Sequence, residues 1–166
     1  MNAPPGARVH ATAIALAVDP DGPLAGVLLL GPSGAGKSSL ALCAIEGCPF
    51  RRTALIADDQ VLISAAGAAT APDRVRGLIE VRGLGPAPVR TAGGAVLAAA
   101  FDLGAASERV ASPEWREIAT GLLLPVYPFR WTGAESSAAH RLRVTVRQVL
   151  CGQIGEEPQD KSVEGA

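Results

Sequence analysis

Residues Gly31-Pro32-Ser33-Gly34-Ala35-Gly36-Lys37-Ser38 match the spacing G-x-x-x-x-G-K-[ST] without a gap. The three glycines let the backbone curl so that successive N–H groups point inward, which makes a cradle for phosphate. A helix opening at Lys37 would add the positive end of its dipole, worth up to about 2 kcal/mol toward a well-placed anion. In such a loop the lysine, here Lys37, neutralises the β- and γ-phosphates as a point charge, and the hydroxyl of Ser38 ligates Mg²⁺. ATP with Mg²⁺ is the ligand pair expected. The competing reading is a glycine-rich turn that imitates the motif. Lysine usage argues against it, because Lys37 and Lys161 are the two lysines among thirteen arginines, and the one in the folded part falls at the phosphate position.

A second group of residues carries carboxylates. Asp58-Asp59 follows the apolar run Thr53–Ala57. At the carboxyl end of a strand beside such a loop, an Asp holds Mg²⁺ directly or through water. Successive strand residues point oppositely, so one Asp could serve the metal while the other faces an incoming hydroxyl as general base. A solvated pair at a strand-to-loop turn is the plain alternative. Glu80 and Arg82 fall on one strand face just before the turn Gly83-Leu84-Gly85, which by itself is a surface ion-pair pattern. His10 opens an alternating run, where a histidine with ordinary hydrogen bonds is the simplest reading.

These groups need elements to position them. Val27–Leu30 suits a buried parallel strand entering the loop, and Lys37–Glu46 reads as a helix with Leu40, Ala41, Ala44 and Ile45 on one side and Gly47 as its stop. His10, Thr12, Ile14, Leu16 and Val18 alternate with small residues, mostly alanines, as in a strand. The turn residues Asp19–Pro23 join it to Val27–Leu30 as a hairpin. Val61–Ile63 reads as a strand, Ser64–Pro72 as a connection, and Ala95–Phe101 as either a strand or a helix. Ser112-Pro113-Glu114 has the form of a helix start, and Val126–Trp131 gathers three of the six aromatics in a proline-containing loop. Ser136–Leu150 reads as a last helix, its β-branched residues leaving a strand open. In the helix Leu142, Val146, Val149 and Leu150 face inward, and Arg141, Arg143 and Arg147 form a solvated face.

At 166 residues, with 48% hydrophobic and 19% charged, the chain has the size and composition of one domain with a sizeable core. Aromatics are 4%, so the core must be built from Ala, Val, Leu and Ile, which suits a sheet covered by helices. Residues 1–7 read as a flexible leader, 8–151 as the domain that carries the phosphate loop and 152–166 as a disordered polar tail. A net charge of −1 gives no basic field to attract nucleic acid. No apolar run approaches the roughly 18 residues of a membrane span, and no signal peptide opens the chain, so a cytoplasmic home is expected. Cys43, Cys48 and Cys151 lack metal-ligand spacing, and the first two read as buried or half-buried fillers. No N-K-x-D guanine motif occurs.

With the loop Gly31–Ser38, the pair Asp58-Asp59 and the signature Glu80-Val81-Arg82-Gly83-Leu84-Gly85, the chain resembles the catalytic domain of the HPr kinase/phosphorylase family over about residues 8–150. The resemblance implies an α/β fold, a mixed sheet flanked by helices. It also implies Mg²⁺-ATP-dependent phosphorylation of a serine of HPr, the phosphocarrier protein of the sugar phosphotransferase system, with phosphorolytic dephosphorylation as the reverse activity. By the same resemblance Lys37 is the loop lysine, Ser38 and Glu80 are Mg²⁺ ligands, Asp59 is the proton acceptor and Asp58 supports the metal. His10 and Arg109 match catalytic residues, and 125–130 matches a loop used in dephosphorylation. That loop departs from the family's P-V-R-P-G-R at Val126–Arg130, so kinase activity is the better supported. Full-length relatives carry a further N-terminal domain and form hexamers. The chain therefore resembles a short form, with a homo-oligomer as the implied assembly. A small-molecule kinase of the same fold class and a non-catalytic nucleotide-sensing module remain alternatives.

Overall fold

Eleven β-strands and two α-helices make up the described residues, 6–105 and 112–152, of the computed structural model. Residues 1–5 of the expected leader, Arg109, and the expected tail from residue 153 onward lie outside them. The chain enters as β1 (Ala7–His10) and β2 (Thr12–Leu16), turns through Asp19–Pro23 and returns as β3 (Ala25–Leu30), antiparallel to β2. The loop Gly31–Gly36 then leads into α1 (Lys37–Glu46), which stops at Gly47 as its composition predicts.

Next come β4 (Ala54–Ala57), β5 (Gln60–Ile63), β6 (Ala68–Thr70) and the hairpin β7 (Leu78–Val81) with β8 (Gly85–Pro88). The remaining elements are β9 (Ala95–Asp102), β10 (Glu114–Ala119), β11 (Leu122–Pro128) and α2 (Glu135–Leu150). Nine strands form one mixed sheet in the order β1-β5-β6-β9-β3-β2-β4, with β11 on β9 and β10 on β11.

Strands β3, β9 and β11 run parallel to one another, and Leu30, Asp102 and Pro128 stand level at their carboxyl ends. Ligands of open α/β sheets sit at such an edge. The close pairing of β3 with β9 depends on Gly26, where a Cβ would collide with the Val96 carbonyl oxygen.

The period-2 alternation of β2 accounts for the two-sided core. Ile14, Leu16, Val27, Leu29 and Phe101 face α1 and α2, while Ala11, Ala13, Ala15, Leu28 and Ala100 face the opposite layer, which includes Val61, Ile63 and Ala69. The alanine side of β2 is thin, which lets Val61 and Ile63 of β5 and Ala69 of β6, strands of the same sheet, pack against it. Phe101 stacks on Tyr127 at 5.6 Å and meets Phe129 edge-on at 5.5 Å, so the carboxyl ends of β9 and β11 share an aromatic cluster. Such pairs add about 0.5–1.5 kcal/mol beyond their burial.

Several expectations are corrected. The helix start at Ser112-Pro113-Glu114 is instead the entry to β10, whose residues pair with β11; cross-strand pairing overrides a local helix signal. The aromatic segment is strand as far as Pro128, and Pro125 is accommodated in β11. The connection 64–72 contains β6, too short to show a period, and Ala95–Phe101 is a strand. Residue 7 belongs to β1 rather than a leader, and Cys43 is exposed while Cys48 is buried.

In α2 the arginine face is not solvated as expected. Arg143 is 4% exposed and its Nε donates to the Ala17 carbonyl at 3.1 Å, and Arg147 donates to the Val18 carbonyl at 2.6 Å. Both arginines satisfy carbonyls left over beyond the end of β2, a requirement that helical periodicity does not reveal. Arg141 lies 4.7 Å over the Phe129 ring, and Leu150, expected inside, is 49% exposed.

Cys48 occupies the turn after α1. Burial pushes its thiol up, but hydrogen bonds from the Thr53 side chain and from the backbones of Arg52, Thr53 and Phe50 outweigh this and bring it from 9.0 to about 6. An unfolded thiol keeps its proton to higher pH, so folding releases one between about pH 6 and 9 and stability rises with pH across that window. The stabilisation is complete above pH 9 and is lost as pH falls through 6. Thermal melts of the wild type should gain between pH 6 and 8.5 relative to Cys48→Ser, which does not titrate there.

Candidate functional site

The loop between β3 and α1 needs positive φ at Gly31, Gly34 and Gly36, with φ of 141°, 83° and 92°. Gly36 is the N-cap of α1. No side chain caps this end and no acidic residue stands in the first turn, so no side chain of α1's own first turn takes up its leading N–H groups. Lys37 is 7% exposed, and its Nζ donates to the carbonyls of Gly31 at 2.8 Å and Pro32 at 3.0 Å. Two of the three ammonium donors thus anchor the side chain across the loop mouth, and the third is left for an anion.

The two adjacent carboxylates have opposite environments. Asp58, at the end of β4, is 8% exposed. Its Oδ1 accepts the hydroxyls of Thr12 at 2.7 Å and Ser38 at 2.8 Å and the Asp59 amide at 3.1 Å, and its Oδ2 accepts the Glu80 amide at 2.9 Å. One buried carboxylate therefore ties together β2, the start of α1 and the hairpin β7–β8. Asp59 is turned outward by a left-handed backbone, φ 68°, which Asp tolerates better than most residues. Its side chain is 76% exposed, and its Oδ1 lies 3.1 Å from His10 Nδ1, which also meets the Asp59 carbonyl at 3.1 Å.

His10, Ser33, Gly34, Gly36, Lys37, Ser38, Asp58, Asp59 and Glu80 line one cleft of about 520 Å³. Gly31, Pro32 and Ala35 complete the loop without lining it, and Arg109 lies outside the described residues. Thr12, Ser39, Arg82 and Gly83 line the cleft as well; none of them was given a role in the site from sequence, although Arg82 and Gly83 belong to the signature Glu80–Gly85. Arg82 makes no ion pair with Glu80; both face the cleft, which corrects the surface-pair reading. Thr12 looked like one more position in an alternating apolar strand, and only its contact with Asp58 gives it a role.

Trp131, beyond β11, also reaches this loop. Its Nε1 lies 3.4 Å from the Ala35 carbonyl, and a Cβ at Gly36 would come within 2.6 Å of its Cζ2. Gly36→Ala is therefore expected to fail twice, by the left-handed φ, which costs an L-residue about 1–2 kcal/mol, and by displacement of Trp131. A fall in melting temperature together with loss of nucleotide binding by calorimetry would register both.

The donors fit a Mg²⁺ site of the kind completed by substrate phosphates. Among the described residues no cluster of three or more His, Cys, Asp or Glu forms an all-protein cage. A loop hydroxyl beside a strand-end carboxylate, with a second carboxylate nearby, is the donor set Mg²⁺ shares with phosphates and water. Among the described residues no helix is long and apolar enough to cross a membrane.

Comparison with known proteins bears on the fold and on the sequence of residues 18–99. The sequence model of the HPr Serine kinase C-terminal domain matches residues 18–99. The HPr kinase/phosphorylase of Caldanaerobacter subterraneus subsp. tengcongensis is 44% identical over 70 residues, 40% of this chain and 22% of the relative, so the match spans about a fifth of that protein. The solved structure of the Hpr(Ser) kinase/phosphatase from Coxiella burnetii superposes with a TM-score of 0.69 at 19% identity, over 89% of this chain and 92% of that one. At that identity the superposition speaks for the fold, a mixed sheet flanked by helices. Residues 18–99 thus match the HPr Serine kinase C-terminal domain, and the chain shares the fold of an Hpr(Ser) kinase/phosphatase.

Proposed function

We propose that the protein is a Mg²⁺-ATP-dependent kinase that phosphorylates a serine of the phosphocarrier protein HPr. The observation that carries this reading is the division of labour between Asp58 and Asp59, one buried and bonded to the loop serine, the other exposed in the same cleft. Lys37 and the uncapped amides at the start of α1 would hold the phosphates and take up charge that develops on the transferring group. Ser38, Asp58 and Glu80 would hold Mg²⁺, which when bound neutralises phosphate charge. Asp59 accepts the serine proton as the new O–P bond forms and the bond to the ADP oxygen breaks, and His10 orients the Asp59 carboxylate. Arg82, which lines the same cleft, would add positive charge for the phosphates.

The family name and the curated relative support HPr as the protein substrate and leave phosphorolysis as the reverse reaction. Transfer of labelled γ-phosphate from ATP to purified HPr, with Lys37→Ala as control, tests the reading. Label on the HPr serine that Lys37→Ala abolishes is expected. ATP binding without any transfer would overturn the kinase reading in favour of a nucleotide-sensing module. A test for release of the label by inorganic phosphate would then decide phosphorolysis.

A further inference from the structure

The cleft accounts for one side of the loop only. His10, Thr12, Asp58 and Glu80 come from β1, β2, the end of β4 and β7, so the reacting end of a nucleotide lies on the β2–β4 side of Gly31–Ser38. On the other side stand β9 and β11, whose carboxyl ends are level with that of β3. The chain leaving β11 is drawn back toward the loop. The Phe129 amide donates to the Asp102 carbonyl at 2.9 Å, and Phe129 packs on Phe101. Two residues further on, Trp131 sets the Nε1 edge of its indole against Gly36 and Ala35. It packs against the core cluster yet remains half-exposed, and the exposed Arg130 precedes it.

From these placements we infer that Trp131 is the nucleobase platform of the site, a stacking surface for the purine of the bound nucleotide. A triphosphate fixed by Lys37 and the α1 amides at one end must leave the loop past the first turn of α1. Trp131, seated between that turn and the start of α2, is the large aromatic surface on this side. Each base has a π-face, so stacking of this kind gives affinity with little discrimination between adenine and guanine, in keeping with a chain that carries no guanine-reading motif. The inference rests on the nucleotide-binding reading above, and the experiment separates the two.

Binding of Mg²⁺-ATP and of Mg²⁺-tripolyphosphate, which has the phosphates and no base, is measured by calorimetry on the full chain as wild type, Trp131→Ala and Trp131→Phe. Base stacking on an aromatic side chain corresponds to a loss of about 5- to 150-fold when it is removed. Trp131→Ala is therefore expected to weaken ATP by at least about 5-fold and to leave tripolyphosphate within about 2-fold, while Trp131→Phe retains most of the ATP affinity. Equal weakening of both ligands would show that Trp131 only shapes the loop, and an unchanged ATP affinity would show that the base lies elsewhere; either overturns the inference. If wild type binds neither ligand, the nucleotide reading itself fails and the platform with it.

Should Trp131→Ala not fold, Trp115→Phe leaves Trp131 as the single indole of the chain. Its fluorescence should then be quenched by ATP and not by tripolyphosphate. Equal responses to the two ligands would overturn the assignment.

Discussion

Replacing Asp59 by Asn should reduce phosphoryl transfer to HPr by about 10²- to 10⁴-fold, the range over which a positioned base contributes. The same variant should bind ATP as wild type does. Asp59 is suited to this outcome because its side chain is exposed and makes no contact with the loop; its partner is His10 at 3.1 Å. Asn preserves the shape and tolerates the left-handed backbone at φ 68°. The fold should therefore survive, and the defect should appear in single-turnover transfer of label rather than in binding. A variant that transferred at the wild-type rate would move the base elsewhere in the cleft.

The neighbouring substitution should behave in the opposite way. Asp58→Ala removes an acceptor used by four donors, the Thr12 and Ser38 hydroxyls and the Asp59 and Glu80 amides. Hydrogen bonds to a charged acceptor contribute about 1.5–3 kcal/mol each, and the Thr12 hydroxyl is buried and has no water to replace the lost partner. The other donors lie nearer the cleft and recover part of theirs from solvent, so a net loss of about 3 kcal/mol is expected. For a domain of this size that corresponds to a fall in melting temperature on the order of 10 °C. Mg²⁺-dependent nucleotide binding should fall with it, because Ser38 loses the group that orients its hydroxyl. A melt and a Mg²⁺ titration on Asp58→Ala beside Asp59→Asn separate a residue that builds the site from one that acts in it. Equal melting temperatures for the two variants would contradict this assignment.

Much of this site could be read from the linear chain because its parts depend on local constraints. The loop Gly31–Ser38 requires glycines at fixed offsets, a strand before it and a helix after it, and all three conditions lie in the one stretch Ala25–Glu46. The hairpin of β2 and β3, with alanines on one face of β2 and larger residues on the other, follows from period-2 alternation and turn chemistry in the same way. Asp58 and Asp59 do diverge, but through the left-handed backbone of Asp59 beyond the end of β4 rather than through strand alternation.

The elements legible in the linear chain are those whose cause is short-range: the glycine loop, the helix that follows it and the strands that alternate. Tertiary structure decided the rest, since those outcomes depend on partners distant in sequence. β10 became a strand because β11 offered a ladder that its helix-like opening could not predict. Arg143 and Arg147 turned inward to meet carbonyls of Ala17 and Val18, more than 120 residues away. Which aspartate is buried was settled by Thr12 and by the Glu80 amide, from two other strands. Trp131 reached the loop because β9 and β11 end level with β3. A hydrogen bond or a packed edge between distant segments leaves no periodic trace in either segment, and only the folded chain brings the two together.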